Sequence, residues 1–372
     1  MRPMNRLKIS AIIPTRNRVP YLKQLLDNIN NQRRLPDEVV IVGHNADSLT
    51  RKFLENLDKN MFRFKLKYVF VDGGTSKSRN VGASISEGEV LVFLDDDVIL
   101  PSDYIENVEK IFAENPHISI VTGYTFDIVD LVTPWIAKKG DILYLWENRN
   151  SEFTKLVFAE IQRRCPEKSI TILQRNMLRL YLWHFLKCLR NAFKTIFMWE
   201  FPVYGKILPS GYRSEFPEIQ KIQENGGLIE VEWIQGNNFA ARRKVFEEFR
   251  FNEELEKIHS YALNEDLEWA TRVSKKYKIY LTSEAKLIHL RALTRNRIDY
   301  ATRLKALVIS TKYIARIKGN KMAHLWATFG LLVSRIPTLF TKPREGARQI
   351  KAIIEGLAGI HGDVYENYNK SR

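Results

Sequence analysis

The 372-residue sequence predicts an α/β protein whose sheet is mostly parallel and carries helices on both faces. Short continuous apolar runs alternate with segments of helical spacing over residues 1–125, which is typical of strand–helix–strand units. Three consecutive aspartates directly follow one of these runs. The composition, 45% hydrophobic and 27% charged, is that of a globular chain and excludes a wholly disordered, collagen-like or disulfide-scaffold protein.

The elements of residues 1–125 follow from these patterns in chain order. The first helix is predicted by Leu22, Leu25, Leu26 and Ile29, which share one helical face. Because ligands of parallel sheets bind outside the carboxyl ends of strands, we expect the chemistry in the loops that follow the strands. The predicted strands are 8–13, 39–42, 66–71 and 90–94, and the predicted helices are 21–30 and 76–86.

The rest of the chain divides into three segments. Residues 126–230 form an aromatic-rich and basic insertion with an amphipathic helix. Residues 231–290 return to the α/β pattern, with a short strand, a Gly-Asn-Asn turn, a helix from about Arg243, an acidic turn at 265–266 and a strand near 279–289. Residues 291–372 are basic and helical in pattern.

The net charge of +15, from 58 basic and 43 acidic residues, suggests an anionic partner such as nucleic acid, a membrane surface or a phosphorylated molecule. The four segments carry +1, +3, 0 and +11 in chain order. Most of the excess therefore lies beyond residue 290, outside the α/β segments. We interpret it as a means of holding a near-neutral α/β unit against an anionic surface.

Cysteine content and hydropathy bear on the compartment. Cys165 and Cys188 are too few and too isolated for a metal knuckle or a disulfide framework, which favours a reducing compartment. The first apolar run stops at Pro14, too early for a signal peptide, and no uninterrupted run of about 18 apolar residues is present to span a membrane. We therefore expect a cytoplasmic protein.

The aspartates Asp95, Asp96 and Asp97 come immediately after the strand at 90–94. Alternation along an extended chain puts the side chains of Asp95 and Asp97 on the same side, where they can converge. Mg²⁺ and Mn²⁺ prefer carboxylate oxygens, and Mg²⁺ usually shares its ligand sphere with substrate phosphates. The pattern predicts a site for a metal and a diphosphate; the alternative is an acidic turn that caps the next helix.

A glycine-rich loop, Gly73–Gly82, lies between the third strand and a helix. Glycines let the backbone approach a ligand, a helix N-terminus attracts phosphate, and Lys77 and Arg79 add positive charge. The loop is neither a Walker loop nor a Gly-x-Gly-x-x-Gly loop, so by itself it also fits a simple turn.

Taken together, the motifs resemble those of the family 2 glycosyltransferases, which have the GT-A (nucleotide-diphospho-sugar transferase) fold, a Rossmann-like α/β architecture. The resemblance covers about residues 8–125 and 231–290, and the ordered set of blocks is more specific than any one block. It implies inverting transfer of a sugar from a nucleotide-sugar, dependent on Mg²⁺ or Mn²⁺. The blocks are ISAIIPTRNR (9–18), GTSKSRNVG (74–82), VLVFLDDD (90–97), GNNFAARR (236–243) and NEDLEWATR (264–272).

The resemblance also implies roles for segments and single residues. Residues 1–125 become the nucleotide-sugar-binding half of the domain and residues 231–290 the acceptor-binding half. Asp97 matches a metal ligand, and His289 lies where many members have a histidine near the metal, although a lone histidine also fits a structural role. The implied nucleotide- and donor-binding residues are Pro14, Thr15, Arg16, Lys77, Arg79, Asp95, Asp96, Gly236 and Asn238.

On the acceptor side, Asp266 matches the general base of the family's Glu-Asp motif, with Glu265 in reserve. Single displacement at an anomeric carbon needs a base that takes the acceptor proton, and charge stabilisation on the departing diphosphate. A metal at Asp97, together with Lys77 or Arg79, fits the second requirement. Without the upstream motifs, the two acids also fit a helix start favoured by the helix dipole.

One position departs from the family pattern. The family commonly has an acid that reads the nucleobase after the second strand, and Gly43 stands there. Asp47, His44 and Asn45 are candidate substitutes, so the sequence leaves the nucleobase and the donor sugar open.

Two basic segments outside the resemblance suggest an anionic membrane surface as partner. In residues 175–199, basic side chains fall within about 120° of a helical wheel and bulky apolar ones cover much of the rest, which suggests an interfacial helix; the alternative is a helix packed on the core with a solvated basic stripe. The apolar stretch Leu325–Phe340 is flanked by basic residues. We expect a peripheral location on the inner face of the cell membrane and a glycan or lipid-linked acceptor in polysaccharide or glycoconjugate synthesis.

Other function classes are compatible with parts of the sequence. A metal-dependent nucleotidyltransferase would share the parallel sheet and the aspartates, but would release pyrophosphate rather than nucleoside diphosphate. A basic membrane- or nucleic-acid-binding protein would account for the charge, but no recognisable nucleic-acid motif is present and we expect no nucleic-acid partner. A catalytically dead homologue is disfavoured by the intact acidic motifs.

Overall fold

The fold is built on a single mixed β-sheet, to which the described part of the chain contributes nine strands. The computed structural model describes residues 6–132, 138–164, 192–193, 195–197, 203–258, 263–292 and 299–359. The strands are β1 (Ile9–Pro14), β2 (Glu38–His44), β3 (Lys65–Val71), β4 (Val90–Leu94), β5 (Val98–Ile99), β6 (Ile120–Asp127), β7 (Leu228–Val231), β8 (Asn238–Arg242) and β9 (Ile279–His289).

The strand order is β3-β2-β1-β4-β8-β6-β9-β5, and β7 also pairs with β9. Strands β3, β2, β1 and β4 pair in parallel, β8 runs antiparallel between β4 and β6, and β9 is parallel to β6. The short strands β5 and β7 run antiparallel to β9. Six of the nine described strands thus point the same way, which confirms the mostly parallel sheet.

Helices cover both faces of the sheet, as predicted. Alternate residues of β1 enter separate cores: Ile12 packs in the core that contains Trp269, and Ile13 packs in the core that contains Leu22. The helices are α1 (Val19–Asn30), α2 (Ser48–Glu55), α3 (Thr75–Ile85), α4 (Tyr104–Glu114), α5 (Ile128–Val132), α6 (Lys139–Glu147), α7 (Glu152–Arg164), α8 (Ile219–Glu224), α9 (Arg243–Glu248), α10 (Glu254–Ile258), α11 (Glu265–Val273), α12 (Tyr300–Ile317), α13 (Lys321–Val333), α14 (Ile336–Thr341) and α15 (Pro343–Ala358).

The predicted elements of residues 1–125 are present, and their ends shift by at most two residues. The acidic turn predicted at 265–266 is instead the first turn of α11. Asn264 precedes it in the left-handed region, with a φ of 63°, and turns the chain into the helix. The unpaired amides and the dipole of a helix N-terminus favour acidic residues in the first turn, so Glu265 and Asp266 can open α11.

The C-terminal segment is helical, as predicted. Helices α12, α13 and α15 share a small core of Leu304, Val308, Leu331 and Ile353. The apolar stretch Leu325–Phe340 is divided between α13 and α14, and within the described residues no helix has the length and apolarity to cross a membrane. The basic helix predicted over 175–199 lies outside the described residues, apart from 192–193 and 195–197.

Candidate active site

The loop after β1 and the aspartates after β4 meet at the carboxyl edge of the sheet, because β1 and β4 are parallel neighbours. The Thr15 hydroxyl donates a 2.7 Å hydrogen bond to Oδ2 of Asp96, and Nη1 of Arg18 donates one of 2.9 Å to Oδ1. Burial raises the pKa of Asp96 to about 7, against the effect of Arg18 and with a further rise from Asp97. Asp96 therefore ties the β1 loop to the aspartate cluster.

The loop that carries Thr15 also carries Pro14 and Arg16. Pro14 ends β1 opposite Val42 of β2, and the Thr15 amide donates a 2.9 Å hydrogen bond to the Val42 carbonyl. Arg16 follows as an exposed side chain at the same edge of the sheet. Its contact with a nucleotide stays a prediction. Arg18 had no assigned role, although it lies two residues beyond Arg16 in the same basic block.

Asp95, Asp97 and His289 form a candidate metal centre, since one ligand atom of each lies within 4.8 Å of the others. The pairing of Val98 with His289 brings β9 beside the aspartates. The Ala292 amide donates a 2.7 Å hydrogen bond to Oδ2 of Asp97, whereas the buried Oδ1 accepts no hydrogen bond from the described residues. A buried carboxylate oxygen that faces Nε2 of His289 and makes no hydrogen bond fits a cation held between the two, and two carboxylates favour Mg²⁺ or Mn²⁺.

Two carboxylates hold the His289 ring. Nε2 lies 3.4 Å from Oδ1 of Asp97, and Nδ1 lies 3.2 Å from Oδ2 of Asp127. Burial disfavours the imidazolium, but Asp127 and Asp97 outweigh burial and raise the pKa of His289 to about 10. Burial likewise opposes ionisation of Asp97, but His289 and Arg18 outweigh it and lower the pKa of Asp97 to about 2. Asp127 had no predicted role, although an acid at the carboxyl end of a strand was an available signal.

Arg79 links the two acidic motifs. It is 2% exposed, and its Nη1 donates a 2.9 Å hydrogen bond to Oε1 of Glu265. Its Nη2 donates to the Gly236 carbonyl at 2.8 Å and to Oδ1 of Asp95 at 3.4 Å. Burial raises the pKa of Glu265, with a further rise from Asp266, and Arg79 opposes both. The donor-side and acceptor-side acids thus meet at one buried guanidinium, and a contact of Arg79 with the donor stays a prediction.

Asp266 lies beside the turn at Gly236. Its Oδ2 accepts a 3.2 Å hydrogen bond from the Gly236 amide and lies 3.7 Å from Nη1 of Arg213. A Cβ at position 236 would lie 2.9 Å from Nη2 of Arg79 and 3.4 Å from Cβ of Asp266, so the close approach depends on glycine. Arg213 belongs to no sequence motif, which is why sequence reasoning missed it.

Asn238, at the start of β8, is 0% exposed, and its amide is used within the protein. Its Nδ2 donates to the Ala285 carbonyl at 3.1 Å and to the Tyr124 carbonyl at 3.3 Å, and its Oδ1 accepts a 2.7 Å hydrogen bond from the Tyr104 hydroxyl. These contacts hold the strand that follows the Gly236 turn. Asn238 therefore stays a predicted site residue that shapes the turn.

The N-terminus of α3 is occupied by a protein carboxylate, which differs from the phosphate site expected at the glycine-rich loop. Glu256 of α10 accepts hydrogen bonds from the backbone amides of Gly74, at 2.7 Å, and Ser76. A carboxylate is favoured there for the same reason as a phosphate, namely the unpaired amides and the helix dipole. The predicted phosphate contact of the half-buried Lys77, on the first turn of α3, is not tested by this arrangement.

Packing explains why glycine stands at position 43, where the family commonly has an acid. A Cβ at position 43 would lie 2.6 Å from the ring of Phe70, so that ring fills the space of a side chain. Of the candidate substitutes, Asp47 is 1% exposed and caps α2. Asn45 is exposed at the sheet edge, where its Nδ2 donates a 2.7 Å hydrogen bond to Oδ2 of Asp72.

An α/β sheet whose carboxyl edge carries a candidate metal centre and a second acidic pair, joined through a buried arginine, is the arrangement expected for the GT-A fold. Residues 10–180 match the model of the family described as Glycosyl transferase family 2. The chain is similar to this family over those residues, just under half of its length.

Relatives and solved structures carry the same class name. An uncharacterized glycosyltransferase of Haemophilus influenzae is 30% identical over 113 residues, which cover 30% of this chain and 37% of the relative. The GalNAc(5)-diNAcBac-PP-undecaprenol beta-1,3-glucosyltransferase of Campylobacter jejuni is 32% identical over 93 residues, which cover 24% of this chain and 29% of the relative. The match thus spans less than two fifths of either relative. A mannosyltransferase from Pyrobaculum calidifontis, solved with GDP-Man and Mn²⁺, aligns over 95% of this chain and 88% of its own, with 16% identity and a TM-score of 0.47.

Proposed function

We propose that this protein is an inverting glycosyltransferase that moves a sugar from a nucleotide-sugar to an acceptor hydroxyl. The observation that carries the proposal is the contact of the buried Arg79 with both Asp95 and Glu265. Donor-side and acceptor-side acids are held at a fixed separation by this contact. Such an arrangement suits a reaction in which a donor and an acceptor must be positioned against each other.

The donor side would bind a divalent ion through Asp95, Asp97 and His289. When bound, a Mg²⁺ or Mn²⁺ ion supplies positive charge that stabilises the departing diphosphate. The protein's own contribution is to hold these ligands: Ala292 fixes one oxygen of Asp97, and Asp127 fixes the His289 ring. The exposed Arg16, on the loop after β1, and the half-buried Lys77, on the first turn of α3, supply further positive charge for the nucleotide.

On the acceptor side, Asp266 is the proposed general base. Glu265 is committed to the buried Arg79 through a 2.9 Å hydrogen bond, so its carboxylate is less free to take the acceptor proton. The Gly236 amide and Arg213 lie on one oxygen of Asp266 and orient it. The base would take the acceptor proton as the acceptor oxygen bonds to the anomeric carbon and the diphosphate leaves.

The acceptor is proposed to be a glycan or a lipid-linked glycan, reached from an anionic membrane surface to which the protein binds peripherally. The charge of +11 over residues 291–372 supports this, and so does the polyprenyl-linked substrate in the name of the Campylobacter relative. No nucleic-acid partner is proposed.

The deciding experiment is a screen of the purified chain against nucleotide-sugars with Mn²⁺ or Mg²⁺. Release of nucleoside diphosphate from one donor is expected, and Asp97→Asn should abolish it. Release of pyrophosphate would indicate a nucleotidyltransferase instead. No turnover of any donor, in a preparation that binds Mn²⁺, would contradict the proposal. Once a donor is known, the anomeric configuration of the product tests inversion.

A further inference from the structure

Helix α13 buries mostly small residues and exposes large apolar ones, which is the opposite of the usual arrangement. Of the six residues it buries, Ala323, Ala327, Thr328 and Gly330 are small, and only His324 and Leu331 are large. Large apolar side chains face outward instead: Met322 is 74% exposed and Phe329 is 50% exposed. A helix that packs only on its own protein buries large side chains, so the outward face of α13 is built for contact with something else.

The exposed apolar residues share one face. At 100° per residue, Met322, Leu325, Trp326 and Phe329 fall within an arc of about 100°. The Trp326 indole N–H donates a 2.8 Å hydrogen bond to the Ile196 carbonyl, so the polar atom of this ring is already satisfied while the ring is 41% exposed. These side chains can therefore be buried in an apolar environment without leaving the indole N–H of Trp326 unpaired.

The face continues beyond α13. On α14, Ile336 is 45% exposed and Phe340 is 80% exposed. From the insertion, the Phe197 ring packs 5.5 Å from Trp326 and 6.1 Å from Phe329. We call these residues together the α13 face. It is formed by the residues Ile196, Phe197, Met322, Leu325, Trp326, Phe329, Ile336 and Phe340.

The sequence segment that carries helices α13 and α14 contains basic residues and no acidic ones. No Asp or Glu occurs between Asp299 and Glu345 in the sequence. Basic residues lie at the ends of both helices: Lys321 is the first residue of α13, Arg335 lies between α13 and α14, and Lys342 follows α14. An apolar face with basic residues at the ends of its helices complements a surface that is apolar in its interior and anionic at its boundary, which describes a bilayer of anionic lipids.

We propose that the α13 face docks on an anionic bilayer with α13 lying along the interface. A helix of 13 residues is about 20 Å long, shorter than the hydrocarbon core of about 30 Å, so it fits along the membrane and not across it. Only the purpose of docking rests on the proposed function: docking would bring the acceptor side of the enzyme to a lipid-linked substrate. It requires no donor and can be measured separately.

The test is sedimentation of the purified full chain with vesicles of phosphatidylglycerol and phosphatidylcholine, and with vesicles of phosphatidylcholine alone. The wild-type chain should sediment with the anionic vesicles, with a blue shift in tryptophan fluorescence.

Met322→Glu should weaken binding about tenfold, because a charge is forced into the interface. The matched control is Met61→Glu, an identical change at a methionine that is 63% exposed and lies far along the chain from the face; it should bind as the wild type does. Phe340→Glu should repeat the loss.

Equal vesicle binding by the wild-type chain, Met322→Glu and Phe340→Glu would overturn the proposal. A wild-type dimer in lipid-free sedimentation that Met322→Glu dissociates would also overturn it, because the face would then be a protein interface. Donor hydrolysis without vesicles, measured on the same preparations, reports the proposed function separately. Docking without hydrolysis would count against the enzyme activity alone, and hydrolysis without docking against the α13 face alone.

Discussion

Nδ1 of His289 lies 3.2 Å from Oδ2 of Asp127, while Nε2 of the same ring faces Oδ1 of Asp97 at 3.4 Å. A ligand histidine that donates its second ring N–H to a carboxylate has its tautomer and its orientation fixed. Asp127 is itself held by a hydrogen bond from Nε of Arg291. Asp127 is therefore a positioning residue, which acts on the candidate metal centre through His289.

Asp127→Asn is expected to weaken Mn²⁺ binding by about 10–100-fold, because an amide neither fixes the ring tautomer nor supplies charge. Titration of the purified chain with Mn²⁺, followed by electron paramagnetic resonance, measures this without a donor. Asp130→Asn is the matched control, since Asp130 lies 3.5 Å from Arg291 and its replacement leaves the contact between Asp127 and His289 in place. An unchanged Mn²⁺ affinity in Asp127→Asn would contradict the positioning role of Asp127. A wild-type chain that binds no Mn²⁺ would contradict the assignment of the metal centre.

Replacement of Arg79 tests the link between the acidic motifs. Arg79→Met is expected to lower the free energy of unfolding by about 3–5 kcal/mol, because it leaves the carboxylates of Asp95 and Glu265 without their buried cation. Urea denaturation measures the loss. In a Glu265→Gln background the same substitution should cost less, since one of the charges has been removed. Losses that simply add in the double variant would show that Arg79 and Glu265 are not coupled.

The parts of the site that follow local rules were predictable from the sequence. Alternation after β4 places Asp95 and Asp97 together, and the parallel pairing of β1 with β4 brings Thr15 to the same edge. These relationships need only strand geometry and the rule that parallel strands present their carboxyl ends together. His289 required the family resemblance as well, because a single histidine at the end of a strand has no spacing signal.

The contacts that sequence reasoning missed depend on how distant segments pack. Glu256 reaches the N-terminus of α3 from α10, and nothing in the spacing of either segment pairs them. Arg213 reaches Asp266 from an insertion without a motif. The Phe70 ring fills the space beside Gly43, which only the packing of β3 against β2 reveals.

Asp266→Asn tests the base assignment. Sugar transfer is expected to fall by about 10²–10⁴-fold, because an amide cannot take the acceptor proton. Donor affinity should change little, since the side-chain amide oxygen of the variant can still accept the hydrogen bond from the Gly236 backbone amide. Rates of product formation and calorimetric donor binding give the two quantities.

The comparison variant for the base is Glu265→Gln. Because Glu265 is tied to Arg79, its replacement should lower the free energy of unfolding more than Asp266→Asn does, and turnover less. Full transfer by Asp266→Asn would exclude Asp266 as the base. A stable Glu265→Gln chain with the greater loss of turnover would move that role to Glu265.

The pH dependence of stability is expected to carry the signature of a buried pair outside the metal centre. The Tyr124 hydroxyl donates a 2.6 Å hydrogen bond to Oδ1 of Asp141, and both side chains are buried. Burial raises the pKa of Asp141 to about 6, above its usual value of 3.8. The folded state therefore binds a proton more tightly than the unfolded state does. Its stabilisation is fully present below pH 3.8 and is lost as the pH rises through about 6.

Asp141→Asn removes this dependence, because an amide is neutral at every pH and still accepts the hydrogen bond from Tyr124. The free energy of unfolding of the variant minus that of the wild type should therefore rise with pH, by roughly 3 kcal/mol at most between pH 4 and pH 8. Urea denaturation across this range measures it. Tyr124→Phe is the second variant. It removes the hydrogen bond that stabilises the ionised Asp141, which raises the pKa of Asp141 further. The loss of stability of Tyr124→Phe should therefore extend to a higher pH than that of the wild type. A difference between Asp141→Asn and the wild type that stays flat with pH would mean that Asp141 is ionised throughout, and that the charge of Lys138 outweighs burial at this pair.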